Sequence, residues 1–309
     1  MEVAVQNWTV ADMPDQTGRT AVVTGASSGL GLAVTKALAA RGARVIMAVR
    51  NPAKAERIRA QLPDANLVIR ELDLSNLDSV HAFAADVMAR GDQLDVLVNN
   101  AGIGNQPQSH SPQGHELHFA TNHLGHFLLT GLLLDNLAKG NDPRVVTVAS
   151  LMYRYGRLDF DNLPITRGYT TARAYAQSKL ANVLFALELH RRLRAAKSPI
   201  RSLLTHPGVA RTPMLGSAPS PLISRLSSTL AGMISRPVEQ GALPIIFAAT
   251  APDAPAGVML TPGGILRPHR LTAEPLRPHA TNPTTAATLW TTSETLTNTP
   301  FPADRNPTT

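Results

Sequence analysis

The chain of 309 residues contains no cysteine. Disulfides, thiolate metal sites and cysteine nucleophiles are therefore excluded, which suits a reducing cytoplasm. Aromatic residues are scarce, at 4%, and they are not interleaved with basic ones. Proteins that bind nucleic-acid strands need such aromatic platforms beside a basic groove, so no nucleic-acid partner is expected. The net charge of +7 is scattered, apart from Arg191-Arg192-Leu193-Arg194, which fits the polar face and end of a helix. Long apolar runs are also missing. The most apolar one, Phe127 to Leu134, covers a fraction of a bilayer, and no transmembrane span is expected. Met1 to Gly18 carries Glu2, Asp12 and Asp15 without an apolar core, which does not read as a signal peptide. These absences together suggest a cytoplasmic protein.

What remains is a globular composition, 43% hydrophobic, with regular alternation along the chain. Short β-branched runs at 19–24, 43–49, 66–71, 94–98, 144–149, 200–205 and 257–260 read as strands. Helical patterns fall between them, at about 32–41, 52–62, 76–90, 114–137, 175–196 and 238–250. Strands alternating with helices imply crossover units, hence a single-domain α/β Rossmann fold with a doubly wound parallel sheet. We divide the chain into an N-terminal arm (1–17), the domain (18–262) and a Pro/Thr-rich extension (263–309). The extension holds a short helical patch near 286–296 and is expected to pack on the domain or trail from it. Within the domain, 212–236 is rich in Ser and Pro with an apolar subset from Met214 to Ile234. A lid with an apolar lining and an ordinary amphipathic helix fit that pattern equally.

Ligand-binding residues in such folds collect at the carboxyl ends of the strands. Gly25, Arg50, Asp73, Asn99, Ser150 and Pro207 all stand at predicted strand ends. The first strand runs directly into Gly25-Ala26-Ser27-Ser28-Gly29-Leu30-Gly31 and then a helix. Strand, glycine-rich turn and helix aim backbone N–H groups and a helix N-terminus at a phosphate. The second strand ends in Val49-Arg50 with no carboxylate. A guanidinium there would pair with a 2′-phosphate, so NADP(H) is expected over NAD(H). Farther along, Tyr175 and Lys179 lie four apart on a predicted helix, which stacks them on one face. A phenol with an ordinary pKa of about 10 is a poor acid or base at neutral pH. A neighbouring ammonium favours the phenolate, so Lys179 is expected to bring Tyr175 towards working pH.

Taken in order, Thr24-Gly25-x-x-x-Gly29-x-Gly31, Asp73, Asn99-Asn100-Ala101-Gly102, Asn122, Ser150, Tyr175-x-x-x-Lys179 and Pro207-Gly208 resemble the short-chain dehydrogenase/reductase family. The resemblance covers about residues 18–250. It is nearest to the branch of retinol dehydrogenases, WW-domain oxidoreductases and protochlorophyllide reductases. Phe119 to Phe127, His206-Pro207-Gly208-Val209, Leu289-Trp290 and Ser293-Glu294 carry that finer likeness. Two positions depart from the wider pattern. Ser150 and Tyr175 stand 25 residues apart, a longer gap than usual, and the segment Tyr153–Thr171 reads as a substrate-side insertion. Ala149 stands where a second Ser is common.

The resemblance implies roles. Tyr175 would be the general acid/base towards a carbonyl or hydroxyl oxygen. Ser150 would hydrogen-bond the same oxygen, and Lys179 would tune the phenol and bind the nicotinamide ribose. Asn122 would hold a water that relays protons to Lys179. Gly25, Ser27, Ser28, Gly29, Leu30 and Gly31 would cradle the pyrophosphate, and Arg50 the 2′-phosphate. Asp73 and Leu74 would meet the adenine, and Asn99, Asn100, Ala101 and Gly102 the stretch from adenosine to ribose. Pro207, Gly208, Val209 and Thr212 would line the carboxamide. The implied substrate is a small apolar ketone, aldehyde or alcohol. Reduction of a C=C bond, or nucleotide binding with negligible turnover in a regulatory protein, uses the same residues. Relatives of this kind form homodimers or homotetramers, or neither. His115, His118, His123 and His126 have spacings that bring pairs onto one helical face. No carboxylate or cysteine completes a convincing set, and no metal is expected.

Overall fold

Strand-forming runs of Val, Ile and Ala lead the chain into a nine-stranded sheet among the described residues, with helices on both faces. The structure, a computed structural model, describes residues 3–91, 93–208, 237–263 and 270–301. In chain order the strands and helices are β1 (Val3–Asn7), β2 (Thr20–Thr24), α1 (Gly29–Ala40), β3 (Arg44–Val49), α2 (Pro52–Arg59), β4 (Leu67–Glu71), α3 (Leu77–Ala89) and β5 (Val96–Asn99). There follow α4 (Leu117–Phe119), a π-helical turn (Ala120–Leu124), α5 (Gly125–Leu137), β6 (Arg144–Val148), α6 (Thr171–Ala195) and β7 (Arg201–Thr205). Helix α7 (Val238–Thr250), β8 (Met259–Pro262), β9 (Arg270–Glu274) and α8 (Pro283–Thr297) complete the set. Among the described residues no helix is long and apolar enough to cross a membrane.

The strand order is β1-β9-β8-β7-β6-β5-β2-β3-β4. From β4 to β8 every neighbouring pair is parallel. The winding starts at β2, runs outward through β3 and β4, and returns to place β5 on the other side of β2. That reversal opens a crevice at the carboxyl ends of β2 and β5, where α/β sheets of this kind bind ligands.

At the far edge the sheet is not parallel. Strand β9 returns antiparallel to β8, and β1 pairs antiparallel with β9. Neither strand was visible in the sequence pattern. Both are five residues long, and each becomes a strand because its partner offers an open edge. Strand β1 belongs to the segment read as an arm, and β9 to the one read as an extension.

Side chains alternate across the sheet with the strand period of two. Val22, Ile46 and Leu97 join the core beneath α3, α5 and α6, whereas Val23, Met47 and Val98 face α1 and α7. Trp8 closes the second layer edge-on against Phe247, with ring centroids 5.4 Å apart. On the first face α8 packs outside α6. Its Trp290 lies 5.2 Å from Phe127 and 4.5 Å from Phe301. Lining both sides leaves the strand ends as the place where polar groups remain accessible.

Candidate active site

The glycine turn is shaped by close backbone contacts. Gly25 takes the left-handed conformation (φ +68°), and its N–H donates to the carbonyl of Ala48 at 2.9 Å, at the end of β3. A Cβ on Gly31 would stand 2.4 Å from the Gly25 carbonyl oxygen, so only glycine lets α1 start this close to β2. Ser28 is the N-cap of α1 but makes no side-chain capping bond. Leu30 is buried, and Ser27 and Ser28 are half-buried. Thr24 ends β2 with its hydroxyl accepting from the N–H groups of Asn100 and Ala101, each at 2.9 Å. Asn100 also donates from Nδ2 to the Thr24 carbonyl at 2.9 Å, which staples the turn to the loop after β5.

Ser150, Tyr175 and Lys179 come from the end of β6 and from α6. Ser150 follows β6 in extended conformation, and its Oγ accepts from Met152 N at 3.3 Å. Thr170 caps α6 by accepting from Arg173 N at 3.1 Å, which sets the start of the helix four residues before Tyr175. Tyr175 is hydrogen-bonded to Ser150. One turn on, Lys179 is buried and donates from Nζ to the Val148 carbonyl at 3.2 Å, two residues before Ser150. A lysine carries three donors, so two remain for other partners.

The electrostatics differ from the expectation. Burial raises the Tyr175 phenol above its ordinary value, and the hydrogen bond from Ser150 only partly counters this. Burial also pulls Lys179 down, to about 8. Its Nζ sits 5.8 Å from the centre of the Tyr175 ring, over the face rather than beside the oxygen. In the protein alone, desolvation is the larger influence on Tyr175 and sets the upward direction.

Asn122 lies in the π-helical turn, a distortion that often marks functional positions. Its Oδ1 accepts from Ile103 N at 2.8 Å. Its Nδ2 donates to the Ile103 carbonyl at 3.0 Å and to Ser178 Oγ at 2.9 Å. Ser178 Oγ in turn donates to the Tyr175 carbonyl at 2.8 Å. The side chain thus clamps the loop after β5 to α6. Gly102 is trapped by that clamp. A Cβ there would approach Asn122 Oδ1 to 3.1 Å and Lys179 Nζ to 3.5 Å.

The remaining predicted positions divide. Arg50 is exposed at the end of β3. Asp73 Oδ1 accepts from Ser75 N at 2.9 Å and from Ser75 Oγ at 2.6 Å, and Leu74 is buried beneath it. Asn99 does not face the crevice: its buried Nδ2 donates to Thr130 Oγ1 at 2.9 Å and secures α5. Pro207 and Gly208 follow β7, and Gly208 N donates to His206 Nδ1 at 2.9 Å. His206 Nε2 stands 3.5 Å from Glu274 Oε2, which also receives Arg154 at 2.8 Å. Val209, Thr212 and the lid segment 212–236 lie outside the described residues.

The four histidines go four ways. His115 meets the Leu296 carbonyl at 3.1 Å, and His118 pairs with Glu116 at 2.9 Å. His123 reaches Ser293 of α8 at 2.8 Å, and His126 reaches Thr24 at 2.9 Å. No group of three or more metal-ligating side chains is present among the described residues. Thr24, Ser178 and His126 support the site and were not assigned roles from the sequence. Their spacing from Gly25, Tyr175 and Asn122 was the only signal available.

A short-chain dehydrogenase family model matches residues 19–222, more than half of the chain. The chain belongs to the short-chain dehydrogenase family. Retinol dehydrogenase 14 from Mus musculus is 38% identical over 294 residues, covering 90% of this chain and 86% of that protein. This short-chain dehydrogenase belongs to the retinol-dehydrogenase-like branch. Among solved structures, an uncharacterised protein from Mycobacterium paratuberculosis is 40% identical with a TM-score of 0.79, covering 96% of this chain and all of that one. The 3-ketoacyl-(acyl-carrier-protein) reductase from Brucella melitensis, solved with NADH, is 27% identical with a TM-score of 0.61, covering 79% and 96% of the two chains.

Proposed function

We propose that this short-chain dehydrogenase transfers hydride between NADP(H) and the carbonyl or hydroxyl carbon of an apolar ketone, aldehyde or alcohol. The observation that carries the reading is the buried Lys179 one turn from a Tyr175 hydrogen-bonded to Ser150, beside a turn that only glycine can form. Relatives named as retinol dehydrogenases support an apolar substrate class. The residues fit the cofactor. The cradle at Gly25 and Gly31 would be filled by any Cβ, and Arg50 stands exposed where a 2′-phosphate would sit.

Gly25, Ser27, Ser28, Gly29, Leu30 and Gly31 would hold the pyrophosphate through backbone N–H groups and the start of α1. Arg50 would pair with the 2′-phosphate and Lys179 with the nicotinamide ribose. Val209 and Thr212 would complete the nicotinamide end. When bound, the nicotinamide supplies the hydride chemistry. Tyr175 gives its proton to the substrate oxygen in reduction and takes one in oxidation. Its raised pKa keeps it protonated at neutral pH, the state that reduction requires. Ser150 hydrogen-bonds the same oxygen and stabilises the charge that develops there. The Asn122 clamp holds the loop after β5 against α6, where a side chain at position 102 would crowd Asn122 and the Lys179 ammonium.

NADPH absorbance, followed over a panel of lipophilic aldehydes and ketones, tests the proposal. Turnover that disappears in Tyr175→Phe is the expected result. NADPH binding without turnover across the panel would replace it with a regulatory, nucleotide-occupied protein. Turnover restricted to enones would replace it with C=C reduction.

A further inference from the structure

His126, on the first turn of α5, has no part in the roles assigned above, yet it connects the two halves of the site. The ring is buried. Its Nδ1 lies 3.0 Å from the main-chain carbonyl of Asn122. A carbonyl only accepts, so Nδ1 carries the proton. Its Nε2 lies 2.9 Å from Thr24 Oγ1. Burial, assisted by the Lys179 ammonium, lowers the imidazole to about 4, and His123 is its other titratable neighbour. The ring is therefore neutral near pH 7 and Nε2 accepts. The Thr24 hydroxyl then gives its proton to His126 at 2.9 Å rather than to the more distant Val98 carbonyl at 3.2 Å. The lone pairs of Thr24 Oγ1 are left for the N–H groups of Asn100 and Ala101. The Asn100 N–H is shared between Thr24 Oγ1 and the Val98 carbonyl, and the hydroxyl proton is directed to His126. The series runs from the loop after β5, through the residue before the glycine turn, to the backbone of the π-helical turn.

We propose that His126 is a positioning residue whose neutral Nδ1–H tautomer holds the cofactor turn in register with the turn that carries Asn122. Seating of the dinucleotide and placement of Lys179 and Tyr175 are thereby coupled through one side chain. This rests on the functional reading in the preceding subsection.

The test uses the full chain and three readouts: NADPH affinity from nucleotide fluorescence, kcat with a carbonyl substrate, and Tm. Losing a buried partner in this series is expected to weaken NADPH and lower kcat by about tenfold each in Thr24→Val and in His126→Leu. The double variant should be no worse than the poorer single one, because both remove the same link. Thr24→Ser, which keeps the hydroxyl, should behave as the wild type. Should His126→Leu fail to fold, the split pair decides. His126→Gln keeps an acceptor for Thr24 and should retain NADPH affinity while losing kcat, and His126→Asn should do the reverse. Additive losses, a fall in Tm with unchanged affinity and kcat, or identical profiles for Gln and Asn would overturn the proposal. A wild-type chain that binds no NADPH would instead remove the functional reading, and this one with it.

Discussion

Helix α7, on one face of the sheet, buries an unbroken run from Gly241 to Thr250 in which only the last residue has a polar side chain. Helix α6, on the other face, buries Gln177, Ser178, Lys179, Asn182 and Glu188 within a run of comparable length. The neighbouring π-helical turn and α5 add Asn122, His123, His126 and Thr130. Burying a polar group without a partner costs several kcal/mol at the upper end of the range. On the polar face the cost is offset by specific bonds, such as Ser178 to Tyr175 and Glu188 to both Arg191 and Arg192. The apolar face around α7 therefore contributes mainly stability, and the face around α6 holds the proposed acid/base groups at a stability cost.

Substitutions on each side should break different properties. The largest effect is expected from Tyr175→Phe, which removes the proton donor and should lower kcat by about 10²- to 10⁴-fold. Steady-state kinetics and NADPH fluorescence together would check that cofactor affinity is retained. On the opposite face, Phe247→Ala should cost about 3–5 kcal/mol of stability, because the ring is fully buried against Trp8. Denaturant unfolding would measure that loss, while kcat per folded molecule should hold.

Lys179→Met sharpens the contrast by moving the two properties in opposite directions. Burial disfavours the charged form of Lys179 and holds its folded-state pKa near 8, below the ordinary value of 10.5. Between about pH 8 and pH 10.5 the unfolded chain binds more protons than the folded one, and wild-type stability gains from this group as pH rises. Below pH 8 the charged lysine costs a constant amount, on the order of 3 kcal/mol. The Met variant should lose that pH-dependent rise and gain stability at pH 7, while turnover collapses. Thermal melts from pH 7 to 10 alongside kinetics would show whether the two curves diverge. Arg50→Asp, at the sheet margin, should have the smallest effect. It is expected to weaken NADPH by about tenfold, with little change in NADH affinity or Tm. Equal losses for both nucleotides would take Arg50 out of cofactor selection.

Much of this contrast was legible in the residue order. The βα alternation and the glycine turn follow from local spacing, and seven strands were placed within a few residues of where they form. The edge strands were not, because β1 and β9 have no strong strand pattern and exist by pairing with each other and with β8. Asn99 was read towards the ligand, but a strand-end asparagine can turn either way. Here Thr130 of α5 takes its amide. The sign of the Tyr175 shift was also misread. A four-residue spacing shows that the ammonium is near, but not how much water the fold removes from the phenol.

The sequence by itself determined the winding of the sheet, the glycine turn and the Ser150, Tyr175 and Lys179 trio. These depend on short-range periodicity and on residue types with few substitutes. Only the tertiary structure decided that Asn122 clamps Ile103 to Ser178, that His126 bonds Thr24 across 102 positions, and that Lys179 is buried. Those outcomes depend on desolvation and on hydrogen-bond partners far away in the chain. Neither quantity exists until the two faces of the sheet have been covered.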